Sequence, residues 1–206
     1  TGAWVSSLNY NLSQANLDAS SEQLVQQVKT TGTTQTLNAF AQWQYRISPK
    51  MTLNTGLHGF MLFLNDTWSV EPRSSVKYAF SDKQSVSFGY GLHSQMQPIG
   101  VYFVQNSLDN SLLNKNLGAT RSHHYVLSFD QSLPGNLHLK TEAYYQDMRN
   151  VPVSAQGATS FSMLNLLEDF PYETLENTGR GRNYGLELTF EKHLTNGLYF
   201  LLASSW

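Results

Sequence analysis

Trp68-Ser69-Val70-Glu71-Pro72-Arg73-Ser74-Ser75-Val76-Lys77-Tyr78-Ala79-Phe80 separates into two sets when read two residues at a time. Trp68, Val70, Val76, Tyr78 and Phe80 share one parity, with Pro72 and Ser74 between them. Ser69, Glu71, Arg73, Ser75 and Lys77 share the other. Successive side chains of a strand point to opposite faces, so one face is apolar or small and the other carries three charges. The split recurs along the chain. Leu37, Ala39, Ala41, Trp43, Tyr45 and Ile47 oppose Thr36, Asn38, Gln42, Gln44 and Arg46, with Phe40 breaking the polar set. Val86, Phe88 and Tyr90 oppose Ser85, Ser87 and Gly89; Leu137 and Leu139 oppose His138 and Lys140; Leu186 and Leu188 oppose Glu187 and Thr189.

Nine strand candidates follow one another: 2–12, 34–47, 51–64, 68–80, 84–96, 121–132, 136–148, 182–193 and 197–206. Most match or exceed the ~9–11 residues that cross a bilayer at a tilt. Their connections alternate. Ser48-Pro49-Lys50, Ser81-Asp82-Lys83, Leu133-Pro134-Gly135-Asn136 and Leu194-Thr195-Asn196-Gly197 are short and rich in turn formers. Between them lie the long segments 13–33, 97–120 and 149–181, with 65–67 as a short exception. A meander with one tight and one elaborated rim is the plan of an outer-membrane barrel, whose tight turns are periplasmic. Aromatic residues gather at strand ends: Trp43, Tyr45, Tyr78 and Phe80 near tight turns, Trp68, Tyr102, Phe103, Tyr144 and Tyr145 near the long-loop rim. Two such belts mark the two membrane interfaces.

The bulk numbers agree. At 206 residues, with 14% charged residues and a net charge of -2, the chain offers no nucleic-acid surface. It has no cysteine, hence no disulfide framework or thiolate metal site. The longest strongly apolar run, Phe60–Leu64, is far below the ~20 residues of a spanning helix. Mildly negative mean hydropathy does not exclude a barrel, because only alternate residues meet lipid. No signal peptide is visible, and both ends look cut, so the expectation is a piece of a longer mature protein. The expected fold is all-β: a transmembrane antiparallel up-and-down β-barrel, here a portion of a larger wall. Bacterial barrels with such loops are porins or 22-stranded transporters with a plugged lumen.

Several motifs carry a resemblance. Val70-Glu71-Pro72-Arg73 followed by Val76-Lys77-Tyr78 resembles the "EPR…Y" strand of TonB-dependent outer-membrane receptors. Ser87-Phe88-Gly89-Tyr90-Gly91 through His93-Ser94-Gln95 to Gln97-Pro98 is similar to the strand and loop that follow it there. Asn177-Thr178-Gly179 with Tyr184-Gly185-Leu186-Glu187-Leu188, then Leu194-Thr195-Asn196-Gly197-Leu198, is similar to their late "N-x-G…GxE" strand and turn. The Asn-, Gln- and Tyr-rich style is similar to members from the Bacteroidetes. The resemblance implies that 1–206 belongs to a C-terminal barrel domain of 22 strands in full, with a plug domain upstream of Thr1. It implies active uptake of a scarce nutrient: siderophore, haem, cobalamin, oligosaccharide or peptide. Implied partners are outer-membrane lipid, the protein's own plug, the TonB complex through the missing N-terminal part, the small-molecule, peptide or glycan ligand, and a surface lipoprotein. A passive porin-like channel and a soluble carbohydrate-binding sandwich remain alternative readings.

Candidate lumen- or plug-facing residues are Glu71, Arg73, Lys77, His93, Lys140, Glu142, Glu187 and Glu191, all of the polar parity. They serve equally as solvated wall charges paired across strands. In loop 149–181 the candidate ligand contacts are Phe161, Phe170, Tyr172, Glu173, Arg180 and Arg182; the competing reading is that its apolar residues cap the barrel mouth or form a short helix around Ser162–Glu168. No cofactor, metal site or catalytic group is expected. The six histidines are scattered, and adjacent His123 and His124 diverge. His93-Ser94 with Asp66 or Asp109 makes a poor hydrolase site, because neighbouring strand residues point apart.

Overall fold

The structure is a computed structural model describing residues 1–18, 22–106, 109–155, 157, 159–166, 171, 173–195 and 197–206; for Asp18 and Gln23 it describes the backbone alone. Nine strands form one antiparallel sheet in chain order: β1 (Gly2–Asp18), β2 (Gln23–Ser48), β3 (Met51–Leu62), β4 (Thr67–Ser81), β5 (Gln84–Gln95), β6 (Thr120–Leu133), β7 (Leu137–Ser154), β8 (Leu175–Thr195) and β9 (Leu198–Ser205). Each strand pairs with its sequence neighbours. The helical elements described are two 3-10 turns, Ile99–Phe103 and Met163–Asn165. Among the described residues no helix is long and apolar enough to cross a membrane, which leaves crossing by strands open.

The accessibility of the two faces reverses that of a soluble sheet. On β4, Trp68 is 64% exposed and Val70 52%, whereas Ser69 and Glu71 between them are 3% and 2% exposed. Trp43, Tyr45, Phe80, Leu127, Tyr184 and Leu186 stand outward in the same way. Burial of apolar area drives folding in water, so a wall that turns its large apolar side chains out has hydrocarbon as its solvent. From Leu137 to Tyr145 the strand advances about 26 Å. At a tilt of ~35–45° that covers about 20 Å of depth, near the ~25 Å apolar band of such barrels. Spin labels at Phe88, Leu139 and Leu188 are therefore expected to be quenched by a lipid-soluble agent, and labels at Ser87, Lys140 and Glu187 by an aqueous one. The opposite pattern would turn the wall inside out.

Two of the expected loops contain sheet. Segment 13–33 is not a loop: β1 and β2 continue as a hairpin to the pair Asp18–Gln23. Its outward face becomes polar just above Val5 and Leu37, where Thr33 donates to Asn9 and Thr31 to Asn11 across the strands at 2.7 and 3.0 Å. With polar residues on that face, the hydrophobic alternation fades while the backbone ladder continues. Likewise β7 runs to Ser154 and β8 begins at Leu175, so Arg180 and Arg182 are strand residues.

A compact apolar core sits on the polar face at the long-connection rim. Val101, Tyr102, Phe103 and Val104 pack there with Val28, Leu62, Leu117 and Leu175. Tyr10 stacks at 4.9 Å on Phe103, and Gly32 opposite it lacks the Cβ that would come within 2.7 Å of the Tyr10 hydroxyl. Tyr102 and Phe103 thus belong to a buried core, not to the interfacial belt expected of them. Their backbone leaves the sheet, so strand parity does not govern them.

Candidate functional site

The inward face is organised around Glu71. Register places His58 of β3 directly opposite it. His58 Nδ1 and Arg73 Nη2 each lie 2.9 Å from Glu71 Oε2. Ser69 Oγ and the Ser94 backbone N–H donate to Oε1, both at 3.0 Å. A carboxylate 2% exposed persists only with its oxygens satisfied, and here two strands beside its own supply donors. Arg73, 45% exposed, keeps its outer edge toward the lumen.

Above this network the wall forms an open hollow of about 610 Å³, with Trp4, Phe40, His58, Arg73, His93 and His124 among its lining. The His93 and His124 rings lie 4.6 Å apart, brought together diagonally because His124 pairs with Gly91. Gly91 leaves the space: a Cβ there would come within 2.8 Å of His93 Nε2. Trp4 contacts both Phe40 and His58, at 6.2 and 6.1 Å between ring centroids. Planar aromatic, imidazole and guanidinium surfaces line one cavity. Trp4, Phe40, His58 and His124 escaped the candidate set because convergence across strands depends on register, which local periodicity does not supply.

The remaining inward candidates lie nearer the tight turns. Lys140 pairs with Glu142 at 2.7 Å, and Glu142 faces Glu187 across the β7–β8 ladder. Glu191 is 3.1 Å from His138 Nδ1, whose Nε2 is 3.4 Å from Asp130. Lys77 shares a recess with Asn54, Asp130, Lys140 and Glu142. Tyr144 is also inward, lining a recess with Glu142 and Glu187, and so is not part of the outer belt.

The candidate ligand loop divides. Phe170 and Tyr172 lie outside the described residues, as do Glu168 and Asp169. Phe161 packs against the rim core, and the expected helix is a 3-10 turn over Met163–Asn165. The Glu173 carboxylate accepts from Ser154 Oγ and Thr159 Oγ1, and its backbone carbonyl from Asn114. Arg180 and Arg182 belong to β8 on its outward face, as register partners of Arg149 and Asp147, and not to the mouth loop. Asp109 holds Ser111 through the N–H and hydroxyl, and His93 faces His124.

An apolar exterior, a polar interior, and long connections folded inward over one rim define the wall of a membrane β-barrel. The family model described as TonB dependent receptor-like, beta-barrel, matches residues 1–206, and the chain belongs to that family. It is accordingly a portion of a bacterial outer-membrane receptor. Its fold is similar to the siderophore receptor PirA from Pseudomonas aeruginosa: TM-score 0.62, 14% identity, 98% of this chain and 42% of that one covered. The ferric-catecholate import receptor Fiu from E. coli K12 gives TM-score 0.58 at 13% identity, over 89% of this chain and 29% of that one. The FrpB iron transporter from Neisseria meningitidis gives 0.56 at 16%, over 85% and 26%. This chain thus spans less than half the length of these receptors. No curated protein sequence matches it.

Proposed function

We propose that the intact protein is an active importer, in which this wall surrounds a plug domain and ligand capture at the mouth is followed by TonB-driven displacement of that plug. The observation that carries the reading is the family match over all 206 residues, on a wall whose inward face presents hydrogen-bonding groups for a protein to fill. A scarce nutrient is the cargo. Ferric siderophores lead the candidates, because PirA, Fiu and FrpB are named for siderophores, ferric catecholates and iron. Haem, cobalamin, oligosaccharides and peptides follow. Arg73, Lys77, His93, Lys140, Glu142, Glu187 and Glu191 face the plug, Glu71 is buried behind them and holds Arg73 and His58 in place, and connection 155–174 contributes to ligand specificity. The wall performs no covalent chemistry.

Uptake of labelled ferric siderophores into cells expressing the intact protein tests this. Accumulation is expected to fall to background when TonB is deleted or the inner membrane is de-energised. Uptake that persists in both conditions would identify a passive channel and refute the importer.

A further inference from the structure

The outward face of β6, β7 and β8 changes character at one row. Tyr125, Tyr145 and Tyr184 are register partners across these three strands, each exposed, and each the last outward ring before charge begins. The next outward row toward the long-connection rim is His123, Asp147 and Arg182; the one after it is Arg121, Arg149 and Arg180. Four guanidinium groups on three adjacent strands thus share a face, and among the described residues the carboxylate in register with them is Asp147. That carboxylate is taken by Arg149, with Nε and Nη2 each 2.8 Å from Oδ2. Among the described residues no carboxylate lies within ion-pair distance of Arg121, Arg180 or Arg182. Glu176, further along β8, is hydrogen-bonded by Thr178.

Like charges directly opposite one another destabilise a sheet, so this row calls for an anion that the described residues do not supply. Depth identifies its source. Interfacial tyrosines mark the edge of the hydrocarbon, and arginines one and two rows beyond them stand at headgroup level. The long-connection rim is the outer one in such barrels. Guanidinium forks match phosphate oxygens with two parallel hydrogen bonds. Beside the row, a recess of about 400 Å³ brings Trp68 together with Arg121, Asn150 and Asn177, with Asp66 its one carboxylate. Apolar ring, guanidinium and amides in one recess suit an amphiphile with a polar, phosphorylated head.

We propose that the outward face formed by Arg121, Arg149, Arg180 and Arg182 binds the phosphate groups of an outer-leaflet lipid headgroup. It clamps the receptor into its leaflet independently of the transported ligand. The inference rests on the outer-membrane reading with the long connections outside. Labelling of Lys115→Cys on intact cells by a membrane-impermeant maleimide checks that orientation separately, and absence of labelling would overturn both.

The test uses the intact receptor in phosphatidylcholine vesicles containing bisphosphorylated lipid A, with retained lipid counted by native mass spectrometry after detergent exchange. The R121Q/R180Q/R182Q variant is expected to bind about 100-fold more weakly, from about fivefold per surface arginine. R121K/R180K/R182K, which keeps the charge, should recover most of the loss, and dephosphorylated lipid A should bind wild type as weakly as the Gln variant binds lipid A. Equal retention by wild type and the Gln variant would overturn the proposal. So would equal binding of the dephosphorylated lipid, or displacement by millimolar inorganic phosphate. Should the Gln variant fail to fold, the lipid comparison on wild type decides.

Discussion

Glu71→Ala is expected to lower the unfolding free energy of the intact receptor by about 3 kcal/mol, measured by urea unfolding in lipid vesicles. The substitution removes one acceptor group but strands four donors. His58 Nδ1, Arg73 Nη2, Ser69 Oγ and the Ser94 N–H all converge on the same carboxylate. Ser94 N–H is the least recoverable, since it belongs to the sheet backbone and cannot turn to water. Arg73 is 45% exposed and swings out, which holds the loss to the lower end of the range for broken buried pairs. Glu71→Gln keeps an oxygen for Ser69 and Ser94 but turns an amide N–H₂ toward Arg73, so about half the effect is expected. In a double-mutant cycle, Glu71→Ala and Arg73→Ala should couple by about 1 kcal/mol or more. A loss under about 0.5 kcal/mol for Glu71→Ala would place the residue among ordinary surface charges and remove the network as an organising element.

The same network shows what a strand pattern reveals and conceals. That Glu71, Arg73 and Lys77 share the inward face follows from their odd positions on one strand, since side-chain alternation is a local property. That His58 stands opposite Glu71 depends on the pairing register, set by turn geometry and by distant contacts. His93 and His124 meet for the same reason, across a diagonal of β5 and β6. Strand ends were hardest to read. In segment 13–33 the outward residues Ser13, Lys29, Thr31 and Thr33 are as polar as a loop, yet backbone pairing persists there unaided by alternation. Arg180 and Arg182 illustrate the consequence: assigned to a loop they suggested ligand binding at the mouth. As strand residues four and two positions before Tyr184 they share its outward face.

Tyr102→Ala is expected to detach the 97–119 connection from the barrel mouth at a cost of about 3–5 kcal/mol, the usual range for truncating a buried aromatic side chain. Tyr102 is fully buried, and its hydroxyl accepts the Gln97 backbone N–H at 3.0 Å. Gln97 Nε2 in turn donates to Gly118 O and Thr120 Oγ1, closing the connection on itself. Asn114, also buried, donates to Glu173 O and accepts from Leu175 N, while Asn177 accepts from Gly118 N; together they tie this connection to the next one. An apolar cluster beneath and amides above make the connection a strut rather than a free flap. Trypsin cleavage after Lys115 in intact cells should therefore be slow in wild type and at least tenfold faster in Tyr102→Ala. Tyr102→Phe keeps the ring and loses only the hydroxyl, so it should stay near wild type, with about 1 kcal/mol lost. Burial also pushes the Tyr102 hydroxyl above the ordinary tyrosine value of about 10. Its neutral form is favoured in the folded state, so this stabilisation is complete below about pH 10 and is lost as pH rises from there through the folded-state value. Protection of Lys115 should fall across that alkaline window in wild type and not in Tyr102→Phe. Equal cleavage of wild type and Tyr102→Ala at neutral pH would mean that the rim core does not hold the connection in place.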